Sequence, residues 1–222
     1  MKQRAIRVRL AVLALAGFAS SLHAGTITFK LLSDPGQNYT FSRTDSPSGA
    51  SVSDPVGPYP GMLSTDPYGF FCIDYVKTAT WSGAYSGNAY GVADAVPNKT
   101  TAQLVEAAFL ADKLYWLGGS GASTALYQGP ISFAVWQIMD PTPGDVPVNS
   151  AAQPFILEAQ NAYLSGAISA ANFPNIKIFV PDNPSIQDFM TVTAGAPEPG
   201  TIALFAGGLL LIGLGRLRRS RR

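Results

Sequence analysis

Residues 100–115, TTAQLVEAAFLADKLY, mark where this chain changes its pattern. Thr100 followed by Gln103 is a capping box, in which each side chain satisfies a backbone group of the first helical turn. Leu104, Ala107, Ala108, Ala111, Leu114 and Tyr115 then recur at helical spacing, and Gly118-Gly119 closes the run. Downstream, Pro130 opens a second helix that runs to Met139 and stops at Asp140-Pro141. Its apolar face carries Ile131, Ala134, Val135 and Ile138, with Trp136 beside it. A third helix is expected from Ser150, with Gln153 completing a second capping box, through Phe155, Ile156, Ala159, Tyr163 and Ala167. Asn175–Val180 and Asp188–Val192 read as closing strands.

Upstream the period is two rather than 3.6. Thr26-Ile27-Thr28-Phe29-Lys30-Leu31 alternates as a half-buried strand does. Asp34-Pro35-Gly36, Asp54-Pro55, Gly57-Pro58 and Asp66-Pro67 are turn signals. Gly69-Phe70-Phe71-Cys72-Ile73-Asp74-Tyr75-Val76 is a dense aromatic and β-branched strand, and Thr80–Tyr85 is a further candidate. Strands, then three helices, then strands make segregated elements, so the expected class is α+β. A C-terminal membrane helix is expected in addition.

The two ends have a different composition. Lys2, Arg4, Arg7 and Arg9 precede an apolar run, Leu10–Ala19, and small residues follow up to Ala24: the pattern of an export signal over residues 1–24. At the other end, residues 194–222 form a tail beyond an expected domain at 25–193. It holds Pro197-Glu198-Pro199, an uncharged apolar segment at 201–215, and the basic end at 216–222 with Arg216, Arg218, Arg219, Arg221 and Arg222. The apolar segment reaches only ~22 Å as a helix, short of a ~30 Å hydrocarbon core, and the arginines resist translocation.

These three parts in this order resemble the PEP-CTERM sorting signal of Gram-negative bacteria. The resemblance implies passage through the Sec machinery, recognition by an exosortase, and transient membrane residence. It further implies removal of the tail and a final place at the cell surface or in an extracellular, exopolysaccharide-rich matrix such as a biofilm. The prolines hold the extended, accessible backbone that a processing enzyme needs.

Between the ends the charge reverses. Four of the 15 Lys and Arg lie at the start and five at the end, leaving six against all 14 Asp and Glu, a net charge near −8. An acidic domain argues against nucleic acid as a partner. The one histidine, His23, falls in the export signal, which removes Ser-His-Asp, Cys-His and His-metal chemistry from the mature region. Cys72 is the one cysteine, so no internal disulfide forms. No metal and no cofactor are expected.

Phe71-Cys72-Ile73-Asp74, followed later by Ile131-Ser132-Phe133-Ala134-Val135-Trp136, resembles the two signature segments of thioester-type adhesion domains. In that family a cysteine after an aromatic residue joins its sulfur to the carboxamide carbon of a glutamine that precedes a helical tryptophan. This chain departs at the glutamine: alignment on Trp136 places Ser132 there, and a hydroxyl offers no acyl carbon. Gln128 lies one helical turn earlier but before Pro130, and Gln137 projects about 100° from Trp136. Cys72, Ser132 and Trp136 therefore read as a degenerate thioester site, with Gln128 or Gln137 as displaced partners in the alternative of a self-acylating adhesin.

Asp140 with Asp145, and Asp182 with Asp188, are read as turn and cap residues rather than catalytic pairs. Tyr59, Tyr68, Phe70, Tyr75, Trp81, Tyr85 and Tyr90 are read as core, with a polysaccharide-binding platform as the alternative. The expected role is non-enzymatic: a structural or interaction protein whose partner is an extracellular polysaccharide or another surface protein.

Overall fold

The strands on either side of the helices close into one sheet. The computed structural model describes residues 27–32, 38–43, 50–78, 83–117 and 122–192. Six strands form a closed antiparallel barrel. In spatial order they are Ile27–Leu31 (β1), Tyr59–Leu63 (β4), Asp66–Cys72 (β5), Phe189–Val192 (β8), Lys177–Pro181 (β7) and Ala84–Gly91 (β6). Asn38–Ser42 (β2) and Ser51–Pro55 (β3) form a separate two-stranded ribbon. The helices are Thr101–Trp116 (α1), Gly129–Met139 (α2) and Gln153–Leu164 (α3).

Strand alternation divides the apolar residues between two cores. Phe29, Leu31, Tyr59, Leu63, Phe70, Cys72, Phe179 and Phe189 fill the barrel. Their neighbours Phe71, Ile73, Ile178 and Met190 face outward into a larger core shared with the helices. One wall of the barrel is thus buried on both faces, which is why Phe70–Ile73 is a continuous apolar run.

The ribbon lies on α2. Phe41 and Tyr39 pack on Phe133 with ring centroids 4.6 and 6.0 Å away. Gly129 starts α2 directly under the Tyr39 ring, where any Cβ would collide with it. Between α1 and α2, Gln103 does two jobs. Its side chain completes the expected capping box with Thr100. Its Nε2 also donates to the carbonyls of Ile138 (2.9 Å) and Met139 (3.3 Å), two acceptors left over at the end of α2.

Several expectations are corrected. A π-helical turn, Thr124–Gln128, runs straight into α2, so Gln128 belongs to the helical segment rather than the loop before it. α3 starts at Gln153, not Ser150, and has no side-chain cap. Pro154 fixes its first turn, while Asn149 Oδ1 accepts from the Ala151 N–H at 3.0 Å and holds the preceding residues as a turn. The helix ends at Leu164 because Gly166 adopts φ +73°, which leaves Ala167 outside. The strand expected through Val76 ends at Cys72.

Among the described residues, no helix is long and apolar enough to cross a membrane. The export signal at 1–24, the motif at 197–199, the apolar segment at 201–215 and the arginines at 216–222 lie outside the described residues, as does Trp81.

Candidate functional site

The end of β5 is where barrel, ribbon and helices meet. Cys72 pairs across the sheet with Phe189, and both point into the barrel. Its backbone carbonyl accepts the Trp136 Nε1–H at 2.7 Å. The sequence thus brings Cys72 and Trp136 together, but through the cysteine's backbone and not its sulfur.

Cys72 is 4% exposed. Burial pushes its pKa well above the ordinary value, and the nearby Asp74 carboxylate adds to this. The Tyr59 hydroxyl is its side-chain partner. That hydroxyl spends its one proton on the Pro55 carbonyl, at 2.7 Å. The Tyr59 contact acts against burial and lowers the thiol pKa, but burial outweighs it and the thiol stays protonated.

The candidate partners lie on α2 or in the turn that leads into it. Ser132 is buried on α2, on the helical side of the β5 wall, and its Oγ has no hydrogen-bond partner. Gln128 is buried in the π-helical turn, where its Oε1 accepts from Thr124 Oγ1 at 3.0 Å. Gln137 is turned elsewhere: its Nε2 donates to the Pro147 carbonyl, and its Oε1 accepts from Gln153 Nε2, each at 3.2 Å.

Beside Cys72 lies a feature the sequence reading missed. Asp74, immediately after β5, is buried between two ammonium groups, Lys77 at 2.7 Å and Lys99 at 2.8 Å. Its Oδ2 also accepts the backbone N–H of Asp188 at 3.1 Å. Lys99 reaches on to Asp140 at 3.5 Å and to the Met139 carbonyl at 3.2 Å. Asp140 accepts the Tyr75 N–H at 2.8 Å. Lys77 also faces Asp188, at 3.6 Å. Asp140 and Asp188 thus do not pair with Asp145 and Asp182; they join one cluster of three carboxylates and two ammoniums.

The cluster divides its charge unequally. Burial alone would raise the Asp74 pKa, but its bonds to Lys77 and Lys99 hold it below the ordinary carboxylate value. Asp188 is pushed up to about 7, by burial and then by the Asp74 charge beside it. Asp188 therefore stores the proton that balances the cluster in mildly acidic solution. No sequence signal marks the set, since its members come from opposite ends of the domain.

Above this layer opens a cleft of about 370 Å³. Cys72, Tyr59, Trp136 and Tyr75 are among the residues that line it. Asp54 and Pro55 at the end of β3 bound one side; Lys77, Thr78 and Gln187 bound the other. Tyr75 is fixed there by its hydroxyl, which donates to Asp54 Oδ2 at 2.8 Å, and by its ring, 5.1 Å from Trp136. Of the aromatics considered for a sugar platform, Tyr59 and Tyr75 line the cleft, whereas Phe70 is in the barrel core with Tyr68 and Tyr85 packed against it.

No family model matches the chain, and no curated protein does. Solved structures do show similarity. The N-terminal domain of the Streptococcus pyogenes pilus tip adhesin Cpa matches at 12% identity and a TM-score of 0.40, over 78% of this chain and 96% of that one. The N-terminal thioester domain of the fibronectin-binding protein SfbI from Streptococcus pyogenes matches at 8% identity and a TM-score of 0.37, over 72% and 94%. The N-terminal thioester domain of a surface protein from Clostridium perfringens matches at 11% identity and a TM-score of 0.36, over 76% and 99%.

Proposed function

We propose that this chain is an exported protein of the cell surface or extracellular matrix, sorted and processed through its C-terminal tail, with a non-enzymatic structural or interaction role. The Sec machinery and an exosortase handle it in transit, and the tail holds it at the inner membrane of a Gram-negative producer until it is removed. The observation that carries the non-enzymatic reading is the direction of Cys72. Its side chain packs in the barrel core, where burial keeps the thiol protonated, and no histidine lies in the mature region to activate it. The paired export signal and tail support the location.

Intact-mass spectrometry of the protein recovered from its native host tests both halves. The expected species starts near Gly25, ends near Pro199 and carries an unmodified thiol. Recovery of Arg222 would refute the sorting reading. Loss of one ammonia, abolished in Cys72→Ala, would replace the non-enzymatic reading with a self-acylating adhesin using Gln128 or Gln137.

A further inference from the structure

The connection from β7 to β8 closes one side of the cleft. Asp182 ties its start to the barrel, its N–H donating to the Ser86 carbonyl at 2.9 Å. Asn183 then folds the chain into a turn: its Oδ1 accepts the Ser185 N–H at 3.0 Å, and its carbonyl accepts the Ile186 N–H at 3.1 Å. Past the turn the chain lies along the segment that follows β5, with Ile186 and Thr78 as a parallel bridge. The Gln187 N–H donates to the Thr78 carbonyl at 3.0 Å, and the Thr78 N–H to the Ser185 carbonyl at 3.4 Å. Thr78 and Gln187 both line the cleft, so this bridge is part of its wall. Residues 182–185 are exposed, and Ile186 and Gln187 are half-buried. A bridge this short and this open depends on what anchors its ends.

The far anchor is Asp188. It is buried against Asp74 and Lys77 from the segment after β5 and near Lys99 at the start of α1; Asp140, at the end of α2, shares Lys99. Three carboxylates thus face two ammoniums, and a buried layer with one surplus negative charge takes up a proton. The geometry puts that proton on Asp188. Asp74 already holds Lys77 at 2.7 Å, Lys99 at 2.8 Å and the Asp188 N–H, whereas the Asp188 carboxyl has Lys77 at 3.6 Å. With its pKa pushed up to about 7, Asp188 keeps the proton in mild acid and can donate it to the Asp74 carboxylate. Once the proton leaves, the same contact becomes a repulsion between two carboxylates, at the point where the bridge is anchored.

We propose that the turn from Asn183 to Asp188 is a proton-operated latch on the cleft: closed on residues 74–78 while Asp188 keeps its proton, and released, with Asp182 as the hinge, when the proton leaves. The barrel stays shut in both states, because β8 is paired on both sides from Phe189 onward. The latch needs neither the sorting tail nor a particular ligand, so its failure would leave the expected mature mass untouched.

Native-state hydrogen exchange, followed by NMR on the isotope-labelled protein from its native host, tests it. Between pH 5 and pH 8 the protection of the Gln187 and Asp188 amides should fall about ten- to hundredfold, levelling off once the Asp188 carboxyl, followed by its own ¹³C shift, has titrated. Low urea should leave these two amides unchanged. The amides of the β1–β4 ladder should be better protected and should respond to urea, since they wait for global unfolding. In Asp188→Asn, which keeps a neutral donor beside Asp74, the two amides should hold their pH 5 protection at pH 8. Three outcomes would overturn the proposal: protection that does not change with pH in the native protein, a urea response of the two amides equal to that of the β1–β4 ladder, or a fall with pH that persists in Asp188→Asn.

Discussion

The barrel interior and the seam beneath the helices lie on either side of the same strand, yet they are held by opposite means. Inside, Phe29 sits 4.5 Å from Phe70, 4.5 Å from Phe189 and 5.1 Å from Phe179, centroid to centroid. Nothing there needs a charge. At the seam, Asp74, Lys77, Lys99, Asp140 and Asp188 all sit just outside the ends of β5, β8, α1 and α2. Element interiors on both sides are spent on apolar packing, so the polar contacts between the layers fall to the loop residues where elements end. One region should ignore pH, and the other should report it.

The strongest way to break this contrast is to cut one residue from each side. Lys99→Met leaves Asp74 and Asp140 without a shared cation and should destabilise the fold by about 3–5 kcal/mol. Phe29→Ala, which empties the centre of the barrel, should lose about the same, 3–5 kcal/mol. Urea unfolding at pH 5 and pH 8 separates them. The loss in Lys99→Met should be smaller at pH 5, where a carboxylate of the cluster takes up a proton more easily. The loss in Phe29→Ala should be equal at both. Equal behaviour of the two variants would dissolve the contrast.

A second measurement sharpens it. Asp188 has its pKa raised from 3.8 to about 7, so the folded state keeps a proton that the unfolded chain has released. Its stabilising effect is complete below pH 4 and is lost as the pH rises through 7, about 4 kcal/mol in all. Asp74, with a lowered pKa, acts in the opposite sense: its contribution is present above 3.8 and is lost as the pH falls further. Asp188→Asn mimics the protonated carboxyl. It should abolish the decline between pH 4 and 8 and leave the acid limb in place. A decline that survives in this variant would place the titrating group elsewhere.

Smaller effects belong to the two candidate site residues. Cys72→Ala should cost about 1 kcal/mol, as the loss of one small buried group. In the native protein the thiol should resist iodoacetamide at pH 8 and react on unfolding. Ser132→Ala should be neutral or should stabilise by up to about 1 kcal/mol, because the buried hydroxyl it removes has no partner to lose. A clear destabilisation in Ser132→Ala would mean that the hydroxyl has an unseen function.

What the sequence revealed was local. The Thr100–Gln103 capping box and the periodicity behind it placed α1 to within a residue, and the closing strands were visible as alternation. β4 was not, because Pro60 and Gly61 are poor strand formers; a Cβ at residue 61 would meet Phe70, so the strand needs that glycine. The start of α3 was misread because a Ser-x-x-Gln pattern is a cap only if the chain there turns helical, and Asn149 makes it turn otherwise. The site was legible as a pairing of Cys72 with Trp136. Its orientation was not: in an unbroken apolar run such as Phe70–Ile73, both faces are buried, and nothing local tells which face is the barrel. The ion cluster was hidden for a simpler reason. Lys99 is 25 residues from Asp74, and Asp188 is 114, so only the closed fold brings them together.

The order of strands in the barrel also sets an order of assembly. β8, the last element among the described residues, lies between β5 and β7 and directly follows Asp188, whose backbone Asp74 binds. A chain emerging N-terminus first can pair β1 with β4 and β6, and β6 with β7, but it cannot complete the ring. Until β8 arrives, β5 and β7 are open edges and the seam lacks one carboxylate. Closure of the ring therefore waits for the final described strand, whatever pairs before it.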